Sequence, residues 1–104
     1  MELQVKYIDV PQERLAEVCR RYHVATLKVF GSVARDEARE ESDIDLLVQF
    51  KEPVGLLELV RLERELSELF GREVDLVTEQ GLSPYIRNSV LSSAYTLYDW
   101  EANL

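Results

Sequence analysis

Three aspartates offer the plainest chemistry in this sequence. In Asp43-Ile44-Asp45-Leu46-Leu47-Val48-Gln49-Phe50 the first half alternates, and on a strand that alternation places Asp43 and Asp45 on one face with Ile44 on the other. Carboxylates at i and i+2 on one face are close enough to bind one hard divalent cation. Asp75, between Val74 and Leu76 in a second short apolar run, is the candidate third ligand, because a carboxylate turned inward there is costly unless a metal or hydrogen bonds satisfy it. Oxygen-only ligands suit Mg²⁺, which commonly shares them with substrate phosphates, so the set points to phosphoryl or nucleotidyl transfer rather than to a structural ion. Gly31-Ser32 ends an apolar run and precedes a polar, helix-compatible stretch. A missing side chain and free N–H groups at such a place let the backbone approach an anion.

The elements that must hold these residues are legible from periodicity. Asp9-Val10-Pro11 suits a helix start, with Leu15, Val18, Cys19 and Tyr22 as its apolar stripe. Residues 25–30 read as a strand ending at Gly31, and one or two helical turns follow through Ala38. The strand from Asp43 to Phe50 leads to an amphipathic helix, Leu56 to Phe70, with Leu59, Leu62, Leu66 and Leu69 at helical spacing and Gly71 as its stop. Glu73 to Thr78 is a short strand, and Pro84 to Ser93 a last helix carrying Ile86, Val90 and Leu91. Strands joined through helices predict an α/β fold, a small mixed sheet of three or four strands flanked by helices.

At 104 residues the chain is read as one domain spanning 1–104. Its 46% hydrophobic and 31% charged residues are the balance of a globular protein. No apolar run approaches a membrane span, and Met1-Glu2-Leu3-Gln4 has no signal pattern, so the expected location is the cytoplasm without a membrane partner. A formal charge of −8 disfavours nucleic acid as partner. The single cysteine, Cys19, excludes an internal disulfide and reads as a buried, inert thiol. His23, at a helix–strand junction, receives no role. Tyr95, Tyr98 and Trp100 have no basic residues interleaved with them and read as packing residues.

Gly31-Ser32, ten residues, then Asp43-Ile44-Asp45 resembles the GSx10DxD signature of the DNA polymerase beta-like nucleotidyltransferase superfamily. The surrounding text, Val29-Phe30-Gly31-Ser32-Val33-Ala34-Arg35 and Ser42-Asp43-Ile44-Asp45-Leu46-Leu47-Val48, looks like its minimal nucleotidyltransferase branch, with the likeness running from about Leu15 to Tyr98. The resemblance implies that Gly31 and Ser32 hold a triphosphate, that Asp43 and Asp45 ligate metal, and that Asp75 is both a metal ligand and the base for the attacking hydroxyl. It further implies Mg²⁺ as cofactor and ATP as substrate. The partner it implies is a HEPN-type toxin, to a tyrosine of which AMP is transferred by the chain acting as antitoxin. Asp36 and Glu40 depart from the glycine and proline that many relatives carry there.

For Arg35 a triphosphate contact and a surface ion pair stand level, and so they do for Arg87. Two other functions share the motif: a binding module that neutralises its partner by contact alone, and nucleotidyl transfer to a small molecule. Three converging carboxylates serve an enzyme better than a pure binder, and one domain leaves little to enclose a small acceptor. Self-association into a homo-oligomer is compatible with the composition.

Overall fold

The computed structural model describes residues 2–5, 8–30 and 43–101. Two short antiparallel strands, β1 (Glu2–Val5) and β2 (Ile8–Pro11), precede helix α1 (Gln12–Arg21). Then come β3 (Val24–Phe30), β4 (Ile44–Phe50), α2 (Leu56–Phe70), β5 (Val74–Thr78), a 3₁₀ turn at Glu79–Gly81, α3 (Pro84–Ser93) and β6 (Tyr95–Asp99). The main sheet has the order β5-β4-β3-β6, with β4 and β5 parallel and both other pairs antiparallel. The mixed α/β sheet is therefore as the sequence implies, with four strands. The N-terminal pair and β6 are additions to that reading. Asp9 lies in β2 rather than capping a helix; α1 begins after Pro11, with no side-chain cap.

The core lies on one face of the sheet, beneath α1 and α2. Leu15 and Cys19 from α1, Leu62 and Leu66 from α2, and Leu27 and Leu46 from the sheet are all 0% exposed. Each leucine stabilises the fold by about 2–3 kcal/mol relative to an exposed position. Burial pushes the Cys19 thiol from 9.0 up to about 12, as suits an inert core residue. Gly71 ends α2 in the left-handed region (φ 68), and its N–H donates to the Ser67 carbonyl at 2.9 Å, which is the stop the sequence marks.

The crossover from β4 through α2 to β5 runs toward one edge, and that from β5 through α3 to β6 runs back across the sheet. If both crossovers keep the right hand, they take opposite faces. Consistently, α3 touches β3 while none of its residues joins the core beneath α1 and α2. Its half-buried residues are Arg87, Val90 and Leu91, and Ile86 is 48% exposed. Val90 and Leu91 thus turn inward as expected, while Arg87 takes the place expected of Ile86: α3 lies on the polar face of the sheet, where an arginine fits and an isoleucine gains less.

The outer edge of β5 is closed by α2. The Val74 N–H donates to Ser67 Oγ (3.1 Å) and the Leu76 N–H to Glu63 Oε2 (3.0 Å), while Ser67 Oγ donates to the Glu63 carbonyl (2.9 Å). These amides alternate with those that pair toward β4.

Candidate active site

The carboxylates gather at the N-terminal ends of two parallel strands. Asp45, half-buried, is the second residue of β4, and Asp75, the second residue of β5, is exposed rather than turned inward as the sequence suggests, because it leaves the face opposite the core. They are register partners. Neighbouring strands lie about 4.8 Å apart, so side chains at one level of a parallel pair leave the same face side by side. That face is the one opposite the core: Ile44 (0% exposed) and Leu46 flank Asp45, and Val74 and Leu76, both buried, flank Asp75. Asp43 stands exposed one residue before β4, two positions from Asp45, and the Ile44 N–H beside it donates to the Glu73 carbonyl at 2.9 Å. Across β4 from Asp75, Asp45 faces Phe30, the last residue of β3 and the one before Gly31.

The structure thus brings Asp45 and Asp75 together with Asp43 next to them in the chain. Gly31, Ser32 and Arg35, and the departures Asp36 and Glu40, lie outside the described residues. The donors are all carboxylate oxygens, the set a hard divalent cation takes. Among the described residues no group of three His, Cys, Asp or Glu side chains is gathered closely enough to hold an ion unaided. Mg²⁺ tolerates such a sparse protein set because phosphates and water complete its shell.

Sequence reading passed over Lys28. It stands between Leu27 and Val29, both 0% exposed, so the pleat turns it to the carboxylate face, where it pairs in register with Leu47 of β4 and Thr96 of β6. The alternation of β3 could have shown this. On the same face Thr26 Oγ1 donates to Gln49 Oε1 (3.4 Å). A groove of about 550 Å³, lined by Phe50, Pro53, Leu56 and Thr78 among others, lies at the C-terminal ends of β4 and β5, away from the aspartates, and contributes nothing to this site.

Comparison with known proteins places this geometry. Residues 12–95 match the family described as nucleotidyltransferase domain. The chain is 44% identical over 75 residues to the protein adenylyltransferase MntA of Thermococcus cleftensis, covering 72% of this chain and 76% of that one. Its fold is similar to a solved candidate minimal nucleotidyltransferase at a TM-score of 0.70, with 48% identity over 81% of this chain and 86% of the other. A complex of a tri-AMPylated HEPN toxin from Shewanella oneidensis with its MNT antitoxin contains a chain similar in fold alone, at a TM-score of 0.63 and 18% identity, with 88% of this chain and 72% of that one covered.

Proposed function

This chain belongs to the nucleotidyltransferase domain family, and from that premise we propose that it transfers AMP from ATP to a tyrosine hydroxyl of a HEPN-type partner toxin, in the presence of Mg²⁺, as the antitoxin of the pair. The observation that carries the reading is the register pairing of Asp45 with Asp75 on adjacent parallel strands, with Asp43 two residues from Asp45. Two carboxylates side by side at one end of a sheet, with a third two residues along the chain, offer oxygen donors to one place, and a cation with a bound nucleotide would give them a common purpose.

Asp43 and Asp45 would hold Mg²⁺, and Asp75 would complete the set. When bound, the ion neutralises the phosphate charge and orients the α-phosphate. Asp75 accepts the proton of the attacking hydroxyl as the new O–Pα bond forms; the bond from Pα to the bridging oxygen breaks, and pyrophosphate leaves with the electron pair. Gly31 and Ser32 offer backbone N–H groups and a hydroxyl to the triphosphate, with Arg35 as a further cation.

The test is to incubate the chain with a HEPN-type partner, Mg²⁺ and α-labelled ATP. Label should move to the partner, with the mass increment of AMP, and should collapse in Asp43→Asn and Asp45→Asn while both variants stay folded. Asp75→Asn should lose turnover more than ATP binding. Undiminished transfer in Asp43→Asn and Asp45→Asn would remove these residues from the site. Neutralisation of the partner without any transfer would establish the contact-only module instead.

A further inference from the structure

Two cations on the carboxylate face have no role in the reaction as described. Lys28 sits on strand β3, two residues from Phe30 and on the same face, and Phe30 is the partner of Asp45. Lys28 is therefore the diagonal neighbour of Asp45 across the β3–β4 pair, roughly 7–8 Å between Cα atoms and within reach of a long side chain. Arg87 heads the inward stripe of α3, the helix that touches β3. Its Nε is sealed from solvent and has no hydrogen-bond partner. Among the described residues neither Lys28 nor Arg87 takes part in an ion pair, although the chain carries an excess of eight negative charges. An N–H sealed from water without an acceptor is held at a cost, and an anion reaching the rest of this half-buried guanidinium would offset it.

We propose that Lys28 and Arg87 receive the β- and γ-phosphates of the nucleotide, the part that leaves as pyrophosphate; this rests on the nucleotidyl-transfer reading above. The division of the face is chemical. Carboxylates at the strand ends take the cation and the acceptor's proton, while the ammonium and guanidinium face the leaving group. As the bond from Pα to the bridging oxygen breaks, negative charge grows on the pyrophosphate, and a fixed cation there stabilises the transition state more than the ground state. The planar fork of Arg87 suits two non-bridging oxygens, and Lys28 acts as a point charge.

Binding of ATP and of AMP to the full chain, measured with Mg²⁺ beside the melting temperature, tests the assignment. Lys28→Met and Arg87→Gln should weaken ATP on the order of tenfold to a hundredfold while leaving AMP unchanged, because AMP lacks both phosphates. Arg87→Lys should recover part of the loss. If the variants keep the wild-type ratio of ATP to AMP affinity, the proposal is overturned, and a lowered melting temperature alongside it would make Arg87 a packing residue. A wild-type chain that binds neither nucleotide would overturn the nucleotidyl-transfer reading together with this one; a wild-type chain that binds both, with variants indistinguishable from it, would overturn only this one.

Discussion

Neutralising Asp75 should stabilise the unliganded protein and remove its response to ligand, two opposite signs in one experiment. Asp75 and Asp45 are register partners on adjacent parallel strands, so their side chains leave the sheet about 5 Å apart. Because Asp75 is exposed, the repulsion is close to its value in water, about 0.8 kcal/mol at that spacing, within the roughly 0.2–1 kcal/mol by which cross-strand pairs act. Asp75→Asn should therefore raise the melting temperature of the free chain by about 3–6 °C, since 1 kcal/mol moves a domain of this size by about 4–8 °C. Millimolar Mg²⁺ with ATP should stabilise the wild type more than either alone, because the nucleotide supplies ligands the protein lacks. The same addition should do markedly less for Asp75→Asn. Differential scanning fluorimetry at low salt reads both shifts, and added salt should shrink the first. A free Asp75→Asn chain that melts below wild type would refute the reasoning, since the carboxylate would then be an anchored structural group rather than a repelled one.

Glu63→Ala removes the acceptor of the Leu76 N–H and should cost about 1–2 kcal/mol with faster hydrogen exchange at that amide, whereas Glu63→Gln, which keeps an acceptor, should stay near wild type; equal losses in both would assign the effect to charge. His23 holds a left-handed backbone (φ 59) while its carbonyl accepts from the Lys51 N–H at 2.9 Å, so His23→Gly should relieve strain and leave stability level or up by about 1 kcal/mol in chemical denaturation. Cys19 should resist alkylation in the native chain at pH 8 and react once unfolded. Because its folded pKa is raised from 9.0 to about 12, its contribution is complete below pH 9 and is lost as pH climbs toward 12, a decline that Cys19→Ala should lack.

What the sequence made legible follows from how strongly each pattern is over-determined. The Asp43-Ile44-Asp45 alternation and the isolated Asp75 between apolar neighbours suggest which face each occupies, and a helix of the length of α2 between two strands suits a parallel neighbour; the register that makes Asp45 and Asp75 partners is seen only in the structure. The leucine stripe of α2 and the stop at Gly71 are equally strong signals. The segments that escaped are the weakly patterned ones. Tyr95-Thr96-Leu97-Tyr98 reads as an aromatic tail because an edge strand with a register shift against Leu27 and Lys28 breaks the period of two. The β1–β2 pair has four residues on each side, too few for periodicity to declare itself. In α3 hydropathy selects Ile86, but the phase of a helix is set by the surface beneath it, and α3 touches β3, whose residues on the face away from the core include Lys28.

A sheet with two ends has two directions in which it can recruit a stranger, and here they are unequal. On the β5 side an arriving strand would meet the Val74 and Leu76 amides already committed to Ser67 and Glu63. On the β6 side, where β6 is the last strand of the sheet, Tyr95 and Thr96 are exposed. Strand addition at the β5 side would therefore have to break the hydrogen bonds of Val74 and Leu76 to α2 before it could form its own. Growth into a fibre by strand addition to this sheet needs two open edges on every copy, and at the β5 edge Glu63 and Ser67 withhold one.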